Sequence, residues 1–376
     1  MKVTNQLPEA ERAVAMLAQL EEAGYARAEP SILQPAAIFL ETSGEELRGR
    51  LFLTSDASGE ELCLRPEYTI PLCKDWLANQ AGNTHPAAPA QFSYLGPVFR
   101  ARTDAAGEFV QAGLESFGRT DLSAADAEIL ALSLSSAALA GAGELDVTFG
   151  DAALFSALLR ALGLSAPWQR RILRGHMRGQ KLEAIVAGLG AGRTDHSGVL
   201  AALEGVDKKG ARALVEDLLS IAGISSVGGR SASEIADRFL EQSSLRATGA
   251  FAPEKRAVLE SFLAISGDPD TAFAQMKSLA AKAGLDLDTP FADFSARLGF
   301  FSAHGLDLRK LRFEAGFVRN LDYYTGFMFE ARHRKAAKPI IGGGRYDNLI
   351  ARLNGGKAVP AVGAAIWMGR IAEINQ

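Results

Sequence analysis

The runs QFSYLGPVFRAR, residues 91–102, and EFVQAGLESFG, residues 108–118, flank the turn residues TDAAG. Aromatic and β-branched residues on either side of a polar, glycine-containing turn predict an antiparallel hairpin. Side chains alternate faces along a strand. Gln111, Gly113 and Glu115 therefore share one face, and Val110, Ala112 and Leu114 turn toward the core. The bare glycine between an amide and a carboxylate leaves a gap where a ligand could lie against the backbone. A solvated face of a half-covered sheet carries the same pattern, so this run alone leaves both readings open.

Working outward, LRGRLFLTSD (47–56) and ELCLRPE (61–67) read as two more strands around the polar turn DASGE. Thr69, Ile70 and Pro71 read as a helix start, with a hydroxyl N-cap and Pro in the first turn. An N-terminal helix follows Leu7 and Pro8, with Ala13, Met16, Leu17 and Leu20 at helical spacing, and ends near Gly24. Ser123 to Leu139 is a second strong helix. Residues 165–288 are rich in Ala, Leu, Arg and Glu, with glycines in AGLGAGRTD and SVGGRS. They show no strand alternation and read as an all-helical insertion. Strand signals return in LRFEAGFVRN and TGFMFEARH. A glycine-rich turn, IIGGGRYDNL, then leads to a last strand and helix, AVGAAIWMGRI. Antiparallel hairpins without βαβ alternation argue for an α+β fold: an antiparallel sheet flanked by helices. The expected division is a core in two segments, 1–164 and 289–376, around an insertion at 165–288.

The chain has 376 residues and a net charge of −4 with no basic block, which weighs against a nucleic-acid surface. No apolar run reaches membrane length and no targeting segment opens the chain, so a cytoplasmic protein is expected. Cys63 and Cys73 are the only cysteines. Their spacing matches no zinc pattern and suits a reducing compartment. The histidines (His85, His176, His196, His304 and His333) show neither metal nor triad spacing and are assigned no role, and no metal or cofactor is expected. The glycines of 342–344 do not follow a phosphate-loop or dinucleotide fingerprint.

Two further stretches carry polar side chains able to join Gln111 and Glu115. In LRPEYTIP (Leu64–Pro71), Glu67 beside Thr69 could hold an ammonium group, or simply complement a helix N-terminus. Arg100 ends the strand PVFR, where a guanidinium could grip a carboxylate or phosphate in a two-pronged fashion, or simply meet water. In VRNLDYYTGFMFE (Val318–Glu330), Arg319, Tyr323 and Tyr324 add a cation and two phenols. Strict alternation puts Arg319 and Tyr324 on opposite faces, so they serve one site only if the chain bends.

Together these motifs resemble the catalytic core of histidyl-tRNA synthetase, a class II aminoacyl-tRNA synthetase fold. LRPEYT is similar to that family's LRPE-x-T segment, PVFR to its second class-defining motif, and Gln111–Glu115 and RNLDYYTGFMFE to its histidine-binding segments. GGGRYDNL with AVGAAIWMGRI resembles the approach to the third motif, ending in Arg370. The resemblance covers about 9–151 and 313–371. It implies that Glu67, Thr69 and Gln111 hold a histidine ammonium, that Glu115 and Tyr324 read the ring, that Arg100 and Arg319 face the carboxylate side, and that Tyr323 joins the histidine-binding set. It also implies a bend near Asp322.

The departures from the synthetase pattern carry as much weight. Arg102 stands where synthetases have a glutamate, and the loop after it lacks their further arginines. Trp367 stands for a small glycine near the nucleotide, and Gly369 for the glutamate before Arg370. One lost preorganised contact to a transferring phosphate costs about two to three powers of ten in rate, so adenylation is expected to be abolished. The sequence ends at Gln376, and no anticodon-binding domain is expected. A core that keeps the amino-acid pocket without the ATP grip resembles the regulatory subunit of ATP phosphoribosyltransferase. That likeness implies a non-catalytic homodimer within a hetero-oligomer with the short-form catalytic subunit, required for the first step of histidine biosynthesis and conferring inhibition by L-histidine. The alternative is a truncated histidyl-tRNA synthetase-like enzyme that activates histidine with ATP. An RNA-binding module using Arg170, Arg171, Arg174 and Arg178 is a third reading, against a solvated helix face or a subunit contact.

Overall fold

A computed structural model describes residues 9–42, 45–80, 88–103, 105–187, 210, 213–214, 217–218, 221, 226–227, 230–231, 251–319 and 323–375. Two compact units emerge: Met1–Leu158 with Ser261–Gln376, and Leu159–Glu260.

The first unit is built on a nine-stranded sheet in the order β1-β5-β6-β14-β13-β12-β7-β11-β10. Its strands are β1 (Ala26–Arg27), β5 (Ala90–Phe99), β6 (Glu108–Phe117), β7 (Asp146–Asp151), β10 (Ser266–Gly267), β11 (Leu311–Glu314), β12 (Phe327–Arg332), β13 (Ile341–Arg345) and β14 (Ala361–Trp367). Only the β1–β5 and β11–β7 pairs are parallel. The expected hairpin forms, with Phe99 opposite Glu108 and Ala90 opposite Phe117. A small sheet pairs β4 (Glu61–Leu64) with both β2 (Leu33–Pro35) and β3 (Leu53–Ser55).

The helices of this unit cover both sheet faces. They are α1 (Glu9–Glu22), α2 (Ala36–Thr42), α3 (Glu45–Arg48), α4 (Thr69–Gln80), α5 (Leu122–Leu139) and α6 (Ala152–Ala161), the last running across the unit boundary. In the second unit lie α7 (Ala166–Met177) and α8 (Leu182–Ala187), and α9 (Pro253–Leu263) crosses back. The first unit then continues with α10 (Pro269–Ala283), α11 (Asp288–Ala303), α12 (Asn348–Asn354) and α13 (Met368–Ile374). Helix α5 lies on β6, β13 and β14, and α11 lies on α5. On the other side, Tyr68, Cys73, Trp76, Tyr94, Phe117, Tyr323, Tyr346 and Leu349 form one buried cluster.

Helix α5 is long and apolar enough to cross a membrane, contrary to expectation, although it behaves as a core helix. Its Asp126 is fully buried. That carboxylate accepts Arg297 Nε at 2.9 Å and both Nε (2.9 Å) and an Nη (2.6 Å) of Arg345. Arg297 also donates to Asp151 at 2.7 Å, and the other Asp151 oxygen accepts the N–H groups of Ala153 and Leu154 at the start of α6. The network pins α5, α11, β7 and β13 together.

Several local expectations change. IIGGGRYDNL is no turn: Ile341–Arg345 is a fully buried strand between β12 and β14. Three glycines give it no apolar alternation, which is why the pattern misled. LRGRLFLTSD splits into α3 and β3. Val110 is 43% exposed rather than facing the core, because the end of β6 has only β5 beside it. The boundary expected at 288 falls earlier. Strand β10 pairs with β11 and α10 packs on β11, so the segment from Ser261 belongs with the sheet.

The second unit holds α7 packed on α8, where Arg171 Nε donates to the Ile185 carbonyl at 2.8 Å. Trp168 meets Phe251 with ring centres 5.0 Å apart. Ser226–Val227 and Arg230–Ser231 pair as strands β8 and β9, so the insertion is not wholly helical. Leu7 and Pro8, the GLGAGRTD run and Asp322 lie outside the described residues.

Candidate functional site

All eight side chains singled out in the sequence line one cavity of about 200 Å³. An apolar cavity of about 150 Å³ accommodates benzene, so this one suits a small ring-bearing molecule. Gln111 and Glu115 come from β6, Glu67 and Thr69 from the entry to α4, and Arg100 from the exit of β5. Arg319, Tyr323 and Tyr324 come from the segment between β11 and β12. The bend expected at Asp322 lies outside the described residues, yet Arg319 and Tyr324 reach the same cavity.

Glu115 is 1% exposed. One carboxylate oxygen accepts the Thr69 hydroxyl at 2.6 Å, and the other accepts the Tyr346 hydroxyl. Burial pushes its pKa up to about 8, against the downward pull of those two hydroxyls and with a further upward push from Glu67. Glu67 accepts the backbone N–H groups of Thr69 at 2.6 Å and Ile70 at 2.9 Å. Glu67 therefore caps α4, a task expected of the Thr69 hydroxyl, which donates to Glu115 instead. Burial raises the Glu67 pKa, opposed by the Ile70 N–H and then by Arg100.

Gln111 is 2% exposed, and its Oε1 accepts no hydrogen bond among the described residues. Tyr323 meets Tyr346 edge-on at 5.7 Å, and Tyr324 lies 5.0 Å from Tyr323. Burial raises both phenol pKa values.

Two guanidiniums, Arg100 and Arg319, also line the cavity. Arg100 donates from Nε to the Pro66 carbonyl at 2.7 Å, and burial lowers its pKa against the pull of Glu67. Arg319 donates to the Phe329 carbonyl at 2.8 Å, while its buried Nε makes no hydrogen bond among the described residues. Its guanidinium lies 5.9 Å from the centre of the Trp367 ring.

Glycines make this crossing of side chains possible. A Cβ on Gly363 would overlap the Glu115 carboxylate, and one on Gly342 would overlap the Arg319 guanidinium. Register explains both approaches, since Gly363 stands opposite Glu115, and Gly342 opposite Glu330 one residue from Phe329. The gap expected at Gly113 is real but already filled. Tyr94 stands opposite Gly113, and its ring and hydroxyl occupy the space a Cβ would need. A ligand therefore does not lie on that glycine.

Sequence reasoning missed Leu47, Arg50, Tyr94, Tyr346 and Gly363 as lining residues. Tyr346 gave no local signal: it reaches Glu115 across 231 positions of chain. Tyr94 was readable in principle, since the hairpin register puts it on the Gly113 face. Among the described residues no group of three or more His, Cys, Asp or Glu could hold a metal ion.

A family model described as histidyl-tRNA synthetase matches residues 5–228 and 209–371. A regulatory subunit of ATP phosphoribosyltransferase from Mesorhizobium japonicum is 41% identical over 354 residues, 93% of each chain. One from Chelativorans sp. is 40% identical over 92% of each chain. Among solved structures, one from Bacillus halodurans is described as an ATP phosphoribosyltransferase regulatory subunit/histidyl-tRNA synthetase. It aligns with a TM-score of 0.66 at 18% identity, over 98% of this chain and 80% of that one. A histidyl-tRNA synthetase from Nostoc sp. aligns at 0.61 and 16%, over 99% and 75%. The structural likenesses establish the class II synthetase-like fold, and the sequence identities place this chain in the family of ATP phosphoribosyltransferase regulatory subunits.

Proposed function

We propose that this chain is a non-catalytic subunit that assembles with the catalytic subunit of ATP phosphoribosyltransferase and senses L-histidine through the cavity described above. The observation that carries the sensing role is the polarity of that cavity. Two carboxylates (Glu67, Glu115), a buried amide acceptor (Gln111) and two guanidiniums (Arg100, Arg319) line one small space. That set fits an α-amino acid with a polar ring.

In this reading the ammonium donates to Glu67, the Thr69 hydroxyl oxygen and Gln111 Oε1, giving that buried oxygen a partner. The ring meets Glu115 and the phenols of Tyr323 and Tyr324, which can accept from and donate to its two nitrogens. The carboxylate faces Arg100 and Arg319, whose forked donors match it. Trp367 in the cavity wall supports the non-catalytic part, since an indole fills space that a nucleotide would need. Inhibition then requires that histidine bind the inhibited assembly more tightly than the active one.

The test is calorimetric titration of the purified chain with L-histidine and then with ATP. Binding of histidine without ATP is expected. Histidine-dependent exchange of pyrophosphate into ATP would instead establish a ligase and overturn the non-catalytic reading.

A further inference from the structure

Tyr94 occupies the place where the sheet would otherwise leave room for a ligand. It is 1% exposed, lines the cavity and stands opposite Gly113 in the β5–β6 register. Cross-strand partners share a face of the sheet, so its ring covers Gly113 between Gln111 and Glu115. On β14 the partner of Gly113 is Ala365, another small residue. The Tyr94 ring is firmly held. It stacks on Tyr68 with ring centres 4.2 Å apart and planes within 10° of parallel. Arg65 fixes Tyr68 by donating to its hydroxyl at 2.5 Å, and itself donates to the Pro97 carbonyl at 2.9 Å and to the Pro30 carbonyl. Gly96 clears space for the Tyr68 hydroxyl as Gly113 does for Tyr94. Burial raises the Tyr94 pKa well above its usual value, and Glu115 and Glu67 push the same way. The phenol therefore stays protonated beside both carboxylates.

We propose that Tyr94 determines the specificity of the cavity by size, as a rigid floor that admits an amino acid with one small ring and excludes a bicyclic one. The inference rests on the reading that the cavity takes a ring-bearing amino acid, and it names the residue that limits the ring. Glu115 alone does not set that limit. An indole carries an N–H as an imidazole does, so the carboxylate offers both the same acceptor. Discrimination needs a steric element that penalises the larger ring. The phenol of Tyr94 supplies it by filling the space above Gly113. Pushing it toward Tyr68 would dislodge Arg65 from its two carbonyl partners, and a close-packed interior resists such a shift.

The experiment is calorimetric titration of the whole chain, as wild type, Tyr94→Phe and Tyr94→Ala, with L-histidine, L-tryptophan and indole. Wild type and Tyr94→Phe are expected to bind histidine and neither of the other two. Tyr94→Ala is expected to take up tryptophan and indole in the vacated space, as an engineered apolar cavity takes up benzene. Its histidine affinity should fall about threefold to tenfold, the loss typical of one aromatic contact. A tyrosine of merely structural importance would, when replaced, weaken every ligand and gain none. Tyr94→Leu, which keeps more of the packing, takes the place of Tyr94→Ala should that variant fail to fold. Binding of tryptophan or indole by wild type, or exclusion of both by the folded Ala or Leu variant, overturns the proposal. Absence of histidine binding by wild type overturns the histidine reading instead. Indole carries no amino-acid groups, so it still reports on the floor in that case.

Discussion

On the proposed reading that the cavity takes histidine, Glu115 makes it a proton-linked device, and the linkage can be measured. With a pKa of about 8 in the free pocket, only about a tenth of Glu115 is ionised at pH 7. A ring N–H donating to this group binds its carboxylate form, so histidine binding expels the proton. Relative to Glu115→Gln, the wild-type chain should release about 0.9 proton per histidine at pH 7 and about 0.5 at pH 8. Discharging the proton at pH 7 costs about 1.4 kcal/mol, so wild-type affinity should rise severalfold between pH 7 and 8. Calorimetry in two buffers of different ionisation enthalpy counts the protons, and the Gln variant subtracts those of the ligand. Equal proton release from both proteins would refute the assignment of Glu115 to the ring. The same group bears on folding with a definite sign. Its folded-state pKa lies above the ordinary carboxyl value, so its contribution is most favourable below about pH 4.5. That contribution is lost as pH rises toward 8, by several kcal/mol at order of magnitude. Glu115→Gln should flatten that part of the urea-denaturation pH profile.

Three further outcomes follow from the geometry. Asp126→Ala leaves the buried Arg297 and Arg345 without their shared carboxylate and should cost about 3–5 kcal/mol in urea unfolding; a loss below about 1 kcal/mol would mean the network relaxes freely. Gly363→Ala drives a methyl into the Glu115 carboxylate. Histidine affinity should fall by about tenfold or more, or about 1.4 kcal/mol, with the melting transition still cooperative, and unchanged affinity would contradict the described crossing of Glu115 over β14. Tyr346→Phe removes a hydroxyl that donates to Glu115 and should cost about 1–3 kcal/mol. It should also move the proton linkage to higher pH, because one group that holds the Glu115 pKa down is gone; a linkage moved to lower pH would be the contrary result.

The sequence carried the hairpin, helix α5 and the strand-plus-helix ending because those segments have strong local periodicity and turn chemistry. Of the residues that line the cavity, Gln111 and Glu115 were legible from the alternating face of β6 and Arg100 from the end of β5, whereas Arg319, Tyr323 and Tyr324 lie between β11 and β12 and were marked by the family resemblance. What it hid depends on long-range register. The ionic network joins Asp126 to Arg345 across 219 positions, and no local pattern announces it. The glycines of β13 read as a turn because glycine is a turn residue, whereas here they clear space for Arg319 and let a central strand pack tightly. Glu67 and Thr69 exchanged expected roles because the order of β6 and α4 in space puts a second carboxylate within reach of the Thr69 hydroxyl. The segment from Ser261 to α11 looked like insertion because its helices lack strand alternation, yet they are the ones that close the sheet edge.

The most direct test reconstitutes the chain with the catalytic subunit of ATP phosphoribosyltransferase and measures activity against L-histidine for wild type and Glu115→Ala. The account predicts that both proteins activate the enzyme equally while the Glu115→Ala assembly loses inhibition by histidine at least tenfold, about 1.4 kcal/mol in histidine binding. Loss of activation and inhibition together, or inhibition unchanged in Glu115→Ala, would contradict it.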